Sequence, residues 1–236
     1  MYYVMSDIHG CYDQMVEALK HWDKEKEHLV IMGDLIDRGP ESLKVVRHLM
    51  DLKANNIDNV TILMGNHEEM FFTWVVDTPK ELLAVYYNKV HRKTILSFFN
   101  DKEKYKKATK KERALHILYN YKYELNWMMG LPHTLEVDNI IFVHAGINLE
   151  IDDWRNSVGD MLWIREDFIY SSKAAPKRVF FGHTPTRFLN SDGSNEIWIS
   201  SRGDKVGIDG MIAAGGQLNA LKVNENGEIA EKLKFT

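Results

Sequence analysis

Residues 29–39 read Leu-Val-Ile-Met-Gly-Asp-Leu-Ile-Asp-Arg-Gly, a short apolar run that ends directly in a polar motif. The same pattern occurs at 4–10, 60–68, 140–146 and 179–185. Short apolar runs next to glycine are typical of buried strands. In layered α/β proteins, ligands bind outside the carboxyl ends of such strands. The five motifs therefore predict one site that is assembled from most of the chain.

Helical periodicity between the motifs predicts the layers around these strands. Apolar residues recur at helical spacing within 11–22 and 41–52, so the first third is expected to alternate strands with helices and to form a partly parallel sheet. Residues 69–129 contain few strand-like runs and are expected to form several helices, as a cap or insertion.

Strand-like runs return after the predicted helical segment. Asp138-Asn139 and Asn226-Gly227 lie between such runs and are typical of hairpin turns, so the C-terminal third is expected to be mostly antiparallel. The chain, residues 1–236, is predicted to be a single α/β (α+β) domain with two layers of mixed β-sheet flanked by helices.

The composition is that of an ordinary globular protein, with 44% hydrophobic and 27% charged residues. The net charge of −4 gives no reason to expect a nucleic-acid partner. No apolar run approaches the roughly 18 residues that span a bilayer, and no signal-peptide pattern is present, so we expect neither a membrane partner nor secretion. Cys11 is the single cysteine, which agrees with a reducing, cytoplasmic location.

Basic residues crowd one part of the predicted helical segment, between 102 and 113. Such a cluster is usually a solvated helix face. The alternative is a positive rim that attracts phosphorylated substrates. Both interpretations remain open at this stage.

The polar residue types in the motifs suit divalent metals. Asp7 and His9 are two residues apart at a strand end, so both side chains can lie on one face and grip one ion. Asp34 follows a buried run, where an uncompensated carboxylate is costly, and its two oxygens could bridge two ions. Oxygen and imidazole ligands without thiolate favour manganese, iron or zinc. The remaining candidate ligands at strand ends are Asn66, His144 and His183.

The motifs Ser-Asp-Ile-His-Gly, Gly-Asp-Leu-Ile-Asp-Arg-Gly and Gly-Asn-His-Glu occur in this order and resemble the signature of the phosphoprotein phosphatase family of metallophosphoesterases. The later motifs at 144–146 and 182–185 match the two remaining metal histidines of that family. The resemblance is nearest to the small bacterial and phage-type serine/threonine phosphatases. It implies a calcineurin-like metallophosphoesterase fold and two bound divalent metals, manganese in the first place, with iron and zinc as alternatives.

The resemblance also implies a role for each matching residue. The first metal would be held by Asp7, His9 and Asp34. Asp34 would bridge to the second metal, which would be completed by Asn66, His144 and His183.

The remaining matches concern substrate and catalysis. Arg38 would bind the substrate phosphate with its planar fork of donors. His67 would protonate the leaving oxygen, and Asp37 would orient His67. Arg165 resembles the family's second phosphate-binding arginine; Arg155 is a competing candidate, and a surface ion pair is the alternative role for Arg165.

Two parts of the sequence have no assigned role. Ile208-Asp209-Gly210 replaces an Asp-Thr-Gly motif that the family often has, and the role of Asp209 stays open. No function is assigned to the histidines at 21, 28, 48, 91, 116 and 133.

We therefore predict a metal-dependent phosphoesterase that acts by in-line attack of a hydroxide held between the two metals. The first expectation is a serine/threonine protein phosphatase, because Asp37 and Glu68 resemble that branch of the family. The substrate would be a phosphorylated protein or a small phosphoester. The alternative is a symmetrical bis(5'-nucleosyl)-tetraphosphatase, which cleaves dinucleoside polyphosphates. A non-catalytic binding module would be expected to have lost a ligand or His67, and Arg38 favours a terminal phosphate over the phosphodiester of a nuclease.

Overall fold

Two five-stranded mixed sheets form the centre of the fold. The structure is a computed structural model that describes residues 1–76 and 91–236. Within these residues, ten strands and nine α-helices are present. The strands are β1 (Tyr2–Met5), β2 (His28–Ile31), β3 (Val60–Ile62), β4 (Thr134–Val137), β5 (Ile140–Val143), β6 (Arg178–Phe181), β7 (Trp198–Ile199), β8 (Lys205–Gly207), β9 (Leu218–Val223) and β10 (Ile229–Phe235). The helices are α1 (Tyr12–Leu19), α2 (Ser42–Asn55), α3 (Asn66–Val76), α4 (Arg92–Ser97), α5 (Lys102–Lys107), α6 (Lys110–Asn120), α7 (Lys122–Met129), α8 (Val158–Trp163) and α9 (Glu166–Ile169).

The strand order explains how the five motifs meet. The first sheet has the order β10-β9-β1-β2-β3, in which β1, β2 and β3 are parallel. The second has the order β4-β5-β6-β8-β7, in which β5, β6 and β8 are parallel. The carboxyl ends of β1, β2, β3, β5 and β6 each lead into one polar motif, as the sequence predicted.

Side chains alternate between the two faces of each sheet, as the period of a strand requires. In β1, Val4 faces a core that both sheets share, while Tyr3 faces a core shared with helices. In β5, Phe142 enters the shared core, while Ile141 packs on the opposite face together with residues of α8 and α9. The two sheets thus pack face to face with helices outside, which confirms the predicted two-layered sandwich.

The expectation of a mostly antiparallel C-terminal third is wrong for β6. The two predicted hairpins are present, since β4 pairs antiparallel with β5 and β9 with β10. However, β6 runs parallel to both β5 and β8. The hairpin signals report only local turns. The segment between β5 and β6 contains α8 and α9, and it is long enough for the crossover that parallel strands need.

The predicted helical segment, residues 69–129, falls partly on residues 77–90, which lie outside the described residues. Its described part forms helices α3 to α7. The lysines of the basic cluster are exposed, and Lys106 pairs with Glu103 at 2.6 Å. The single domain with a helical cap, and the positive rim, stay predictions. Among the described helices, none is long and apolar enough to cross a membrane.

Candidate dinuclear metal centre

Asp7, His9 and Asp34 form the first group of candidate ligands. His9 Nε2 lies 3.5 Å from Asp34 Oδ2 and 4.0 Å from Asp7 Oδ1. The other ring nitrogen, Nδ1, lies 2.8 Å from the Ile36 carbonyl oxygen, which can only accept a hydrogen bond. The proton therefore sits on Nδ1, and the Nε2 lone pair faces both the carboxylates and Nη1 of Arg38, which lies 2.8 Å away. Burial lowers the pKa of His9 to about 3, so the ring is neutral, as a metal ligand must be.

Asn66, His144 and His183 form the second group, around the other oxygen of Asp34. His144 Nε2 lies 3.3 Å from Asp34 Oδ1 and 3.0 Å from Asn66 Oδ1. His144 Nδ1 donates to the Met32 carbonyl oxygen at 2.8 Å, which leaves the Nε2 lone pair directed at these two oxygens. His183 Nδ1 lies 3.1 Å from Asn66 Oδ1. The two oxygens of Asp34 thus face two different groups.

In both groups, the lone pairs of nitrogen and oxygen atoms converge on a space where a cation would compensate them. An imidazole that donates one N–H to a backbone carbonyl and turns its other nitrogen inward has the arrangement of a metal-bound histidine. Asp7 and Asp34 are both buried, and the pKa of Asp7 is raised, first by burial and then by the charge of Asp34. The buried Nε2 of His183 has no hydrogen-bond partner among the described residues. These residues fit two divalent ions, because such ions would compensate the converging lone pairs and charges.

The backbone at these motifs is strained. Asp7, His9, Asp34 and His183 have positive φ angles of 54°, 48°, 54° and 61°. Residues other than glycine adopt this conformation only where the surroundings enforce it, and it concentrates at functional sites. Gly182 allows the last motif to approach the first, because a Cβ there would overlap the Asp7 carboxylate and the Ser6 hydroxyl.

Glu68 holds the turn that carries Asp34. Its carboxylate is fully buried and accepts hydrogen bonds from the backbone N–H groups of Gly65, Asp34, Leu35 and Ile36, at 2.9–3.3 Å. Glu68 therefore joins the second and third motifs.

Of the two arginines that compete for the second phosphate site, Arg165 is the one that lies beside the candidate metal ligands. Arg165 Nη1 donates to the His183 carbonyl oxygen at 3.0 Å and to Thr184 Oγ1 at 3.2 Å. Arg155 instead pairs with Glu136 on β4, at 2.6 Å. The geometry therefore favours Arg165, as the sequence analysis did.

Arg38 lies between the candidate ligands and His67. Its Nη1 lies 2.8 Å from His9 Nε2, and its Nη2 lies 3.2 Å from His67 Nε2. The side chain is otherwise exposed, so a guanidinium stands at the entrance to the buried ligand groups.

His67 and Asp37 form the predicted pair, with His67 Nδ1 at 2.7 Å from Asp37 Oδ2. Burial alone would lower the pKa of His67, but the charges of Asp34 and Asp37 outweigh it and raise the pKa to about 8. His91 Nδ1 lies 2.5 Å from the same oxygen of Asp37. No function is predicted for His91 from the sequence, and no local motif marks it, because only the fold brings residue 91 to residue 37.

Asp209 is a third buried carboxylate beside the first group. Its Oδ1 accepts the Met211 N–H at 2.8 Å, and its Oδ2 has no hydrogen-bond partner among the described residues. The pKa of Asp209 is raised well above its usual value, first by burial and then by the charge of Asp7. Burial and the neighbouring Asp7 therefore favour the protonated, neutral form of the Asp209 carboxyl.

Residues 2–214 match the family described as calcineurin-like phosphoesterase. The match covers most of the chain, so the chain belongs to this family and is a metallophosphoesterase. Members of the family depend on a dinuclear metal centre. Among the described residues, three sets of His and Asp side chains could hold a metal, because their ligand atoms lie within 4.8 Å of one another: His9, Asp34 and His67; Asp34, His144 and His183; and Asp37, His67 and His91.

Three curated relatives share the name symmetrical bis(5'-nucleosyl)-tetraphosphatase. A protein of Vibrio parahaemolyticus is 29% identical over 152 residues, which are 64% of this chain and 46% of the relative. A protein of Klebsiella pneumoniae is 30% identical over 155 residues, which are 64% of this chain and 44% of the relative. A Buchnera aphidicola protein is 47% identical over 68 residues, which are 28% of this chain and 23% of the relative. The chain thus matches less than half of the length of these relatives.

Solved structures show the same fold. A candidate diadenosine tetraphosphatase superposes with a TM-score of 0.64 at 20% identity, covering 100% of this chain and 93% of that one. A protein serine/threonine phosphatase from Saccharomyces cerevisiae gives a TM-score of 0.59 at 16% identity, covering 99% and 79%. At such low identity the likeness shows the fold alone, and it confirms the predicted calcineurin-like metallophosphoesterase fold.

Proposed function

We propose that this chain hydrolyses phosphate esters with two divalent metal ions. The first ion would be held by Asp7, His9 and Asp34, and the second by Asp34 together with Asn66, His144 and His183. The observation that carries the proposal is that the two oxygens of Asp34 face two separate groups of donors, at 3.5 Å from His9 and 3.3 Å from His144. Manganese is the proposed metal, with iron and zinc as alternatives, because the donors are oxygen and imidazole.

When bound, two such ions lower the pKa of water and neutralise charge on the phosphate. The side chains of the protein bind the phosphate and supply the proton. Arg38 and Arg165 bind the phosphate oxygens and orient the phosphorus. His67 gives the proton on Nε2 to the leaving oxygen, while Asp37 accepts the hydrogen bond from Nδ1 and fixes the ring.

We further propose that the substrate is a dinucleoside polyphosphate rather than a phosphoprotein. The support comes from the relatives that bear the name symmetrical bis(5'-nucleosyl)-tetraphosphatase, which match 64% of this chain. The expectation of a serine/threonine phosphatase rests partly on Glu68. The four backbone hydrogen bonds of Glu68 explain that residue without reference to substrate. The alternative of the sequence analysis is therefore the better supported function.

A side-by-side assay in added manganese tests this proposal. Diadenosine tetraphosphate and a phosphothreonine peptide are compared at equal concentration, with the Asp34→Ala protein as the blank because both ligand groups share Asp34. Faster cleavage of the dinucleotide to two nucleoside diphosphates is expected. Faster release of phosphate from the peptide would instead make the chain a protein phosphatase.

A further inference from the structure

The loop that carries Asp37 and Arg38 has a strained backbone conformation that needs contacts from outside the loop. Asp37 and Arg38 have φ angles of 74° and 63°. For residues with a Cβ, this left-handed conformation is sterically unfavourable. Two such positions in sequence need outside contacts to maintain them, and the contacts decide where the Asp37 carboxylate points.

Two buried hydroxyls hold the backbone of Asp37. Its N–H lies 2.9 Å from Thr94 Oγ1 and 3.1 Å from Ser42 Oγ. These two oxygens lie 2.9 Å from each other, so one donates to the other. Ser42 and Thr94 are both fully buried. Thr94 belongs to α4, which is more than fifty positions along the chain from Asp37.

A histidine just before α4 holds the side chain of the same residue. His91 Nδ1 lies 2.5 Å from Asp37 Oδ2, the oxygen that His67 Nδ1 approaches at 2.7 Å. His91 is 1% exposed, and its ring centroid lies 6.3 Å from that of His67 and 6.3 Å from that of Phe71 on α3. Asp37 is thus held by its backbone and its carboxylate from one short segment, residues 91–94.

We propose that His91 and Thr94 form a clamp that positions Asp37, and through it aims His67 at the leaving group. This inference rests on the proposed function, in which His67 protonates the leaving oxygen. His91 and Thr94 are positioning residues, because their contacts are to Asp37 and to the groups around it. The clamp also couples catalysis to the helices that follow the third motif, since α4 supplies Thr94 and His91 directly precedes it.

Substrates with different leaving groups distinguish a role of His91 and Thr94 in positioning Asp37 from a general effect on the stability of the fold. A proton donor matters for a poor leaving group such as an alkoxide and hardly matters for nitrophenolate. We therefore compare para-nitrophenyl phosphate with an alkyl phosphate monoester in added manganese. His91→Ala is expected to lower kcat for the alkyl ester about 10²-fold, the size of a misplaced catalytic group, with KM unchanged. Turnover of para-nitrophenyl phosphate is expected to change by less than about threefold, because the proton contributes little there.

Conservative variants and a distant control complete the design. His91→Gln can still donate to Asp37 and is expected to regain part of the lost rate. Thr94→Val removes the hydroxyl at nearly constant shape and is expected to show the same dependence on the leaving group. Thr94→Ser keeps the hydroxyl and is expected to keep the wild-type rates. His28→Ala is the matched control, because His28 Nε2 also contacts a threonine, Thr61 Oγ1 at 2.8 Å, but at the far end of β2 from the motifs.

The results distinguish the clamp from the function on which it rests. The clamp is overturned if the His91 and Thr94 variants lower kcat equally for both substrates, or change kcat for neither, while His67→Asn lowers kcat only for the alkyl ester. If His67→Asn itself shows no dependence on the leaving group, the proposed acid role of His67 fails and the clamp fails with it. Thermal unfolding of each variant identifies those that are not folded, and the Thr94→Ser and Thr94→Val pair then decides the result.

Discussion

Arg165→Ala is expected to lower kcat/KM for phosphate esters about 10²-fold. Arg165 Nη1 is bound to the His183 carbonyl and to Thr184, which points the guanidinium toward the candidate metal ligands. Among the described residues, no hydrogen bond involves its Nη2, so this edge is open to a phosphate. Two charge-assisted hydrogen bonds contribute about 1.5–3 kcal/mol each, and we take the lower end because the side chain is exposed. The resulting loss of about 3 kcal/mol corresponds to roughly 10²-fold.

The chain offers a matched control in Arg155. This arginine is ion-paired with Glu136 and Asp153 at the surface, and half of its side chain is exposed. The ion pairs of Arg155 are to Glu136 and Asp153 and not to the candidate ligands, so Arg155→Ala should leave kcat/KM within about twofold of the wild type. The assay is steady-state hydrolysis of para-nitrophenyl phosphate in manganese, together with inhibition by inorganic phosphate. Arg165→Ala should weaken phosphate inhibition as well, and Arg165→Lys should restore only part of the rate because lysine lacks the planar fork.

Two outcomes would refute this reasoning. Wild-type kcat/KM in Arg165→Ala would remove Arg165 from the substrate site. An equal loss in Arg155→Ala would show that the assignment between the two arginines is wrong.

Three further substitutions have defined expectations. His67→Asn should lower turnover of an alkyl phosphate about 10²–10⁴-fold, the range for general acid catalysis, and keep its metal content, which elemental analysis measures; an unchanged rate would exclude His67 as the acid. Glu68→Gln should lower the free energy of unfolding by about 1–3 kcal/mol, because an amide cannot accept all four backbone N–H bonds; equal denaturant midpoints would contradict that role. Gly182→Ala should lose metal affinity in a binding titration, because its Cβ would displace the Asp7 carboxylate; wild-type affinity would show that the last motif can shift freely.

The strand ends could be predicted because their signal is local. An apolar run followed at once by glycine and a polar side chain specifies both the strand and the position of the ligand. β5, predicted as 140–143, is observed as Ile140–Val143. The two layers of sheet could also be anticipated, since strand-like runs occur in both the N-terminal and the C-terminal part of the chain.

Contacts between distant residues could not be predicted in this way. The parallel pairing of β6 depends on the path of α8 and α9, which no turn motif records. His91 reads as one more histidine in a helical context until the fold places it 2.5 Å from Asp37. Glu68 resembles a family marker in sequence, while its function as the acceptor for the Asp34 turn is visible only in three dimensions.

The metal content of the purified protein tests the two-metal account most directly. After saturation with manganese and removal of free ions, elemental analysis should find about two ions per chain in the wild type. Asp34→Ala should hold well below one ion and lose hydrolysis, because both groups of ligands share Asp34. A wild-type chain that is active with a single ion, or an Asp34→Ala chain that keeps two ions, would contradict the account.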